Sequence, residues 1–470
     1  MASIAQRAKT ETRRDDAVRI FAEQFSGEIV RPGSAGYDRA RRVWNAGIDR
    51  HPALVVRPRD AADVVQAVNF ARAQDLPLAV RSGGHSPAGH GTVGGGLVVD
   101  LSGMKGISID AGQRVASVQP GLTWGEYGAR AQEFGLATPS GDSASVGVGG
   151  LTLGGGIGWL ARTYGLTIDS LLSAEVVTAD GRLLTASPEE HPDLFWALRG
   201  GGGNIGIATE FRFRLHPVGT ILGGAIVYPP TAEVLSAYAA AAMAAPDELT
   251  TLTFVMQAPP YPFVPAAWHG RPVMIVTVCY VGDPEAGWWD LAPFRELAGV
   301  APIVDATRAM PYPALYDLTA EGGVSRPHAI RAGFLRDLDP ATIEAIAVSA
   351  DRMTSPLSLI QLRVLGGAMA RVPAAATAFA HRDKPFLLAA INGWDDPLSA
   401  DADRHVAWTE GFWREIAPRT DGAYVNFLGD EGEERVRAAY PAATYDRLAA
   451  IKRRYDPDNL FRLNQNIRPG

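Results

Sequence analysis

The chain has 470 residues, of which 47% are hydrophobic, so it is long enough for two or three domains with large buried cores. Its 44 basic and 51 acidic residues give a formal net charge of -7, and neither sign forms a long run. This balance excludes the basic footprint of a nucleic-acid-binding protein, and we expect a small-molecule partner instead.

The N-terminus and the apolar runs of the chain bear on its location. MASIAQRAKTETRRDD is polar, and no stretch approaches the ~18 apolar residues of a membrane span. We therefore expect a cytoplasmic protein without a membrane partner; its Ala- and Arg-rich composition is compatible with a bacterial source. The single cysteine, Cys279, lies in an apolar run and is interpreted as a core thiol, because it has no second cysteine to pair with.

The first elements indicate an α+β arrangement. After a polar leader of helical character, PALVVRP (52–58) predicts a strand. Asp60 to Asp63 then cap an amphipathic helix that runs to about Gln74. The strands in LPLAVRSGG and LVVDLS follow, with a hairpin around Ala111-Gly112.

The next segment combines helices with glycine-rich loops. A helix from Thr123 to Phe134 should end at Gly135, which suits a left-handed residue after a helix. Ala179-Asp180-Gly181 is flanked by AEVVT and RLLTA and predicts a hairpin. A helix over 191–199 and the alternating strand IATEFRFRL complete this part.

The character of the sequence changes after His216-Pro217. Longer strands, such as VMIVTVCYV and KPFLLAAINGW, alternate with helices over 232–245 and 404–416, and glycines become fewer. We therefore predict a first domain over residues 1–218, a substrate-side domain over 219–415 and a tail over 416–470 that folds back onto the first domain.

Two literal GxGxxG patterns occur, at 89–94 and 201–206. The dinucleotide fingerprint requires a strand before the glycines and a helix after them. Both patterns here run into strands, LVVDLS and IATEFRF. A nicotinamide-type Rossmann site is therefore not favoured.

A different glycine pattern indicates a cofactor site. RSGGH (81–85) follows an apolar strand, and GVGG (147–150) and GGGIG (154–158) come some sixty residues later. Consecutive glycines let backbone N–H groups converge on phosphate oxygens. Two such loops could enclose a dinucleotide; the alternative is that the glycines serve tight turns or close packing of strands. By its type alone, His85 is more often a capping or hydrogen-bonding residue than a catalyst.

Several long motifs resemble one family. RSGGHS, SVGVGGLTLGGGIGWLARTYGLTIDSLLSAEVVTADGRLLTAS, DLFWALRGGGGNIGIATEF and YDRLAAIKRRYDPDNLFRLNQNI resemble the berberine-bridge-enzyme-like flavoproteins of the vanillyl-alcohol-oxidase fold, and they occur in the right order over nearly the whole chain. The resemblance implies a PCMH-type FAD-binding core over about 48–218. It also implies a substrate domain whose antiparallel sheet, covered by helices, roofs the isoalloxazine, and a tail that closes the site.

The resemblance further implies that FAD is bound covalently, through an imidazole nitrogen of His85 and the flavin 8α-methyl group. The other residues expected at the cofactor are Arg81, Ser82, Gly83, Gly84, Ser86, Ser143, Val146, Gly147, Gly149, Gly150, Gly154, Gly155, Gly156, Gly158, Gly206, Ile207, Asn464 and Asn466.

Two of these positions refine the expectation. Bicovalent relatives carry a cysteine where this chain has Ser143, so a second covalent bond is excluded. The residue three positions later, Val146 here, lies in relatives beside the flavin carbon that reacts with oxygen. Because valine is smaller than leucine, we expect access to remain open and O2 to be the electron acceptor.

The usual catalytic base is missing. Many relatives carry a Tyr-x-Asn-Tyr motif whose last tyrosine is the base, and the motif here ends in Phe427. The aspartate that activates that tyrosine is replaced by Arg363. Tyr424, Tyr312 and Tyr316 are candidate substitutes, although an unshifted phenol with a pKa near ~10 needs a neighbouring cation such as Arg363. The alternative for each is a half-buried aromatic residue with a satisfied hydroxyl.

We therefore predict an FAD-dependent oxidase that transfers hydride from a small alcohol, phenol, amine or carbanion-like carbon to flavin and then to O2, giving H2O2, with a role in secondary metabolism. One alternative is a dehydrogenase or monooxygenase-like enzyme that uses another acceptor or a flavin-oxygen species. Another is a flavin-binding protein with little turnover. The substrate and the oligomeric state stay open.

Overall fold

The computed structural model describes residues 16–470. The leader is helical over residues 16–24, and the rest of that predicted element lies outside the described residues. Within 16–470, no helix has the length and apolar character needed to span a membrane. The same residues contain no group of three His, Cys, Asp or Glu side chains placed to hold a metal ion.

The first part of the chain contains two main sheets. A four-stranded sheet has the order Glu28–Val30, Leu54–Arg57, Leu97–Asp100, Leu78–Arg81; its first pair is antiparallel and the others are parallel. A five-stranded antiparallel sheet has the order Ile107–Asp110, Val115–Val118, Ile207–Arg214, Leu171–Val177, Leu183–Ala186. His216–Pro217, where the sequence changes character, pair with Leu136–Ala137 as a two-residue strand.

Local sequence explains where the helices begin. Ala61–Ala73 starts after Asp60, whose carboxylate accepts a hydrogen bond from the Asp63 N–H. Trp124–Gln132 begins with a reciprocal cap between Thr123 and Glu126. The other α-helices of the described chain with printed bounds are Tyr37–Ala40, Val148–Leu153, Ala161–Tyr164, Pro192–Leu198, Ala232–Ala244, Pro284–Asp290, Pro340–Ala350, Ala368–Arg371, Ala402–Ile416, Glu433–Ala439 and Ala442–Tyr455.

An eight-stranded antiparallel sheet dominates the middle of the chain. Seven of its strands have the order Val304–Asp305, Thr220–Tyr228, Pro272–Tyr280, Leu249–Gln257, Leu359–Val364, Phe386–Gly393, His328–Leu335, and Arg308–Pro311 also pairs with Thr220–Tyr228. Together with the helices, these sheets confirm the predicted α+β class.

The two faces of this sheet have different neighbours. Ile360 and Leu362 point into a core with Val234, Ile346 and Phe412 from the covering helices. The alternate residues of the same strand point to the opposite face, because side chains alternate along a strand. That opposite face forms one wall of a large cavity.

The tail packs on the first part of the chain. Helices Glu433–Ala439 and Ala442–Tyr455 contribute Val436, Leu448 and Ile451 to a core that also contains Trp124 and Phe211. The C-terminal residues are thereby brought next to the loop around Gly202–Asn204.

A buried ion pair fixes this tail. The Lys452 ammonium lies 3.4 Å from a carboxylate oxygen of Asp456, and both side chains are fully buried. Lys452 also donates to the Phe461 carbonyl (2.8 Å) and to Asn466 Oδ1 (3.2 Å). Asp456 accepts from the Leu460 and Phe461 N–H groups. Burial lowers the pKa of Lys452 to about 8 and raises the pKa of Asp456.

We predict that Lys452→Met lowers the free energy of unfolding by about 3–5 kcal/mol, because it leaves the Asp456 carboxylate buried without its partner. Arg130→Met is the control, since its ion pair with Glu133 is exposed and is expected to contribute less than about 1 kcal/mol. Urea denaturation measures both. Equal losses in the two variants would show that the buried pair has no special role.

Candidate cofactor and substrate site

A cavity of about 950 Å³ lies between the first part of the chain and the open face of the eight-stranded sheet. Such a volume is at the upper end of the range for small-molecule and cofactor pockets. Its floor includes the loop 81–87 and residues 141–153, and its roof includes side chains from the strands Leu249–Gln257 and Leu359–Val364. The tail closes it with Tyr424 to Phe427 and Leu463 to Gln465.

The two glycine loops touch backbone to backbone in the floor. A Cβ atom on Gly147 would overlap the Gly83 nitrogen and Ser82 Oγ, and a Cβ on Gly83 would overlap the Gly147 nitrogen. Ser82 Oγ donates to the Pro120 carbonyl (2.5 Å) and accepts from the Gly149 N–H (3.3 Å). The loops are therefore interlocked at positions that have no room for a side chain.

Most of the residues expected at the cofactor line this cavity. They are Arg81, Ser82, Gly83, Gly84, His85, Ser86, Ser143, Val146, Gly147, Gly149, Gly150, Gly206, Ile207 and Asn464. The guanidinium of Arg81 has a structural role, because it donates hydrogen bonds to Asp100 (2.7 Å) and to the carbonyls of Ala40 and Arg42.

Five of the expected residues lie elsewhere. Gly154, Gly155, Gly156 and Gly158 do not line the cavity; a Cβ on them would overlap Asn426, Phe379, Thr167 and the Ser140 carbonyl, respectively. These glycines serve close packing, which was the alternative interpretation of the pattern. Asn466 is also outside the lining, because its side-chain oxygen accepts from Lys452.

His85 is held as a neutral imidazole in the cavity wall. Burial lowers the pKa of His85 to about 4, and His328 acts in the same direction, whereas a backbone hydrogen bond at Ser145 favours protonation. A backbone group that favours the protonated ring is a carbonyl acceptor, so the ring nitrogen bonded to Ser145 carries the proton.

Two further residues, Trp44 and His328, lie beside His85, and no sequence pattern points to either of them. The Trp44 ring stacks on His328 with centroids 4.0 Å apart and on His85 with centroids 5.3 Å apart. The Trp44 indole N–H donates to the Gly322 carbonyl (3.0 Å), which joins it to the segment Tyr312–Gly323. Trp44 thus fixes the position of the His85 ring between two parts of the chain.

Two polar atoms in the cavity lining have no partner in the described protein. They are His90 Nε2 and Asn464 Oδ1, both fully buried. Asn464 Nδ2 donates to the carbonyls of Gly203 (3.1 Å) and Phe461 (2.9 Å), which directs its oxygen away from them. Buried polar atoms are nearly always hydrogen-bonded. Residues His90 and Asn464 therefore fit a bound group with many polar atoms, such as FAD.

The three candidate tyrosines are not equivalent. Tyr424 lines the cavity, and its oxygen accepts from the N–H groups of Gly156 (3.1 Å) and Ile157 (3.3 Å) and from Asn426 Nδ2 (3.0 Å). Burial raises the pKa of Tyr424, although these bonds and Arg363 act against it. Three donors occupy the lone pairs that a base needs, so the geometry favours a structural role.

Tyr312 and Tyr316 are placed away from the cavity. Their hydroxyls share the Ser140 hydroxyl, at 3.2 and 2.8 Å, inside a packed region next to the helix Trp124–Gln132. Burial raises the pKa of Tyr316 to about 12, and it also raises the pKa of Tyr312 well above its ordinary value. The expectation that these phenols lie over the cofactor is not met, because the segment Tyr312–Gly323 turns them toward Ser140.

We predict that Gly147→Ala strongly reduces FAD content, because the added methyl group must push the two loops apart at the cavity floor. The control is Gly94→Ala, where a Cβ meets nothing within 4 Å and the residue is outside the lining. The ratio of flavin absorbance to protein absorbance measures the effect. Normal FAD content in Gly147→Ala would show that the interlocked loops are dispensable.

Comparison with known proteins agrees with this geometry. The FAD binding domain family matches residues 52–187, and the berberine and berberine-like family matches residues 423–468. (R)-6-hydroxynicotine oxidase of Paenarthrobacter nicotinovorans is 32% identical over 458 residues, which cover 95% of this chain and 97% of that protein.

Solved structures show the same fold. The crystal structure of 6-hydroxy-D-nicotine oxidase from Arthrobacter nicotinovorans has a TM-score of 0.84 at 30% identity, covering 95% of this chain and 98% of that chain. Glucooligosaccharide oxidase from Acremonium strictum has a TM-score of 0.85 at 25% identity, covering 97% and 99%. The chain is therefore an FAD-linked oxidoreductase and belongs to the berberine-bridge-enzyme-like family.

Proposed function

We propose that this enzyme holds FAD through a single covalent bond from His85 and oxidises a small organic substrate with O2 as the electron acceptor. The observation that carries the proposal is the position of the His85 imidazole, which lines the cavity, stacks on Trp44 and lies two residues after the interlocked Gly83. When bound, FAD supplies the two-electron acceptor that takes a hydride from the substrate and returns the electrons to O2.

The histidine is suited to attack a carbon atom. With a pKa of about 4, it is unprotonated at neutral pH. A neutral imidazole has one ring nitrogen with a lone pair, and the Trp44 ring stacks on this imidazole. These features support attachment through His85.

A second attachment has no residue to form it. Ser143 lines the cavity, and its hydroxyl lies 3.2 Å from that of Ser145. The only cysteine of the sequence, Cys279, is fully buried, is outside the lining and has its thiol pKa raised by burial. The glucooligosaccharide oxidase structure is described as carrying a 6-S-cysteinyl, 8α-N1-histidyl FAD. By contrast, one bond is proposed here.

Other parts of the chain bind the phosphates of FAD and exclude water from the reacting centre. Backbone N–H groups of the glycine loops are available to bind the phosphates. The sheet face shields the reacting centre from water with apolar side chains such as Phe254 and Ile391. Phe427 has no proton acceptor at the position of the usual base, so the substrate must be one that this enzyme can oxidise without a phenol there.

We predict that His85→Ala abolishes covalent attachment and leaves FAD bound through the loops, with a lower redox potential and slower substrate oxidation. Acid precipitation should release all the flavin from His85→Ala and none from the wild type. The control is His90→Ala, which also changes a cavity histidine but should keep the flavin-modified peptide in mass spectrometry. Wild-type protein that releases its flavin in acid would contradict the proposal.

We predict that Val146→Leu slows reoxidation of the reduced enzyme by roughly tenfold, because an extra methylene in a packed site costs about 1–3 kcal/mol. Val146 lines the cavity and packs against the core beneath it. Reduction by substrate should be nearly unchanged, and stopped-flow measurement of the two half-reactions separates them. Equal losses in both would indicate that Val146 only packs beneath the ring.

The same measurement tests the acceptor. Wild-type reduced flavin that persists for minutes in air-saturated buffer would overturn the oxidase proposal and favour a dehydrogenase.

A further inference from the structure

Gln361 and Arg363 form a polar pair on the cavity face of the eight-stranded sheet. They are two residues apart on the strand Leu359–Val364, so they share a face. Both line the cavity, and each is 5% exposed. Phe254 lies directly opposite Gln361 in the neighbouring strand, and the Phe427 ring centre lies 5.3 Å from the guanidinium carbon of Arg363. Two aromatic side chains therefore flank the pair, which suits a flat substrate.

The hydrogen bonds of the pair leave donors free. Arg363 Nε and Nη2 donate to Gln361 Oε1, at 3.2 and 3.0 Å, and Nη2 also donates to Asp142 Oδ2 at 2.9 Å. Because a guanidinium has no acceptor, the oxygen of Gln361 must face it and the amide nitrogen must face away. Gln361 Nε2 and Arg363 Nη1 make no hydrogen bond to residues 16–470. The pair thus presents N–H donors to a ligand.

The carboxylates of the cavity are already paired. Among the described lining residues, they are Asp142, held by Arg363 at 2.9 Å, and Glu321, held by Arg326 at 3.0 Å. A cationic ligand would have to compete with these arginines, and burying an uncompensated cation is costly. An anionic ligand meets free donors instead. The arrangement therefore disfavours protonated amines and favours ligands that accept hydrogen bonds.

We propose that the substrate is a flat, largely apolar molecule that presents an anionic oxygen, a carboxylate or phenolate, to Gln361 Nε2 and Arg363 Nη1. The planar guanidinium suits such an oxygen because its N–H groups have fixed directions. Asp142 remains bound to the other side of the guanidinium. This inference rests on the proposed function, because it places the ligand in the same cavity as FAD.

Three ligands of one size test the charge preference in the holoenzyme. Benzoate, benzyl alcohol and benzylamine share a ring and differ in charge, and their binding is followed by the change in flavin absorbance, without turnover. Benzoate should bind about tenfold or more tightly than the other two, as expected for hydrogen bonds to a charged group.

Two variants remove the donors in different ways. Gln361→Leu removes the amide and leaves the Arg363–Asp142 ion pair intact. The double variant Arg363→Met/Asp142→Asn removes both charges without leaving either one unpaired. Each should raise the Kd of benzoate by about tenfold or more and change that of benzyl alcohol little. If the double variant does not fold, the Kd of benzoate for Gln361→Leu alone still tests the inference.

Gln257→Leu is the matched control. Gln257 is another cavity glutamine, and it lies three residues along its strand from Phe254, the partner of Gln361. The Gln257→Leu substitution should leave the Kd of benzoate unchanged.

The outcomes separate this inference from the proposed function. If the purified protein contained no FAD, that result would contradict the proposed function itself. FAD-loaded protein that binds benzylamine more tightly than benzoate, or for which Gln361→Leu has no larger effect than Gln257→Leu, would overturn the substrate inference alone.

Discussion

The close contact between the backbones of Gly83 and Gly147 is the constraint on which the cavity depends. Neither residue has a positive φ, so the requirement for glycine is one of space and not of conformation. Gly83 follows the strand Leu78–Arg81, and Gly147 precedes the helix Val148–Leu153. Their contact therefore joins the four-stranded sheet to the core beneath the five-stranded sheet. It also sets the position of His85, which comes two residues after Gly83.

Side chains alternate along the strands of the large sheet, and those on one face form the wall opposite the floor of the cavity. On one strand, Ile360 and Leu362 enter the helix-covered core, whereas Gln361 and Arg363 face the cavity. A shift of pairing by one residue would exchange these sets and bury a guanidinium among aliphatic side chains. The stability of the helix-covered core therefore holds the polar pair in place in the cavity wall. The register of strand pairing therefore determines both which side chains enter the core and which side chains face the cavity.

Elements with local signals were predicted well, and contacts between distant segments were not. The cap at Asp60 and the hairpin at Asp180-Gly181 depend on neighbouring residues alone, and the structure confirms both. The glycines at 147–150 and 154–158 look alike in sequence, yet the second set makes room for Phe379 and Asn426, which come from far along the chain. The contacts of Trp44 with the rings of His85 and His328 have the same origin, since no local pattern indicates which rings will meet.

Phe427 and Arg363 belong to one arrangement of side chains in the cavity wall. An arginine over the face of an aromatic ring is stabilised by the ring's charge distribution, and the ring here is Phe427, at 5.3 Å. Asp142 and Gln361 occupy the other donors of Arg363 and fix its plane. An aspartate at position 363 would remove the guanidinium that pairs with Asp142 and add a second negative charge to this part of the cavity, which favours protonation of one of the two carboxylates. The residues around Arg363 are therefore coupled, because a change at one of them alters the charge balance and the hydrogen bonds of the others.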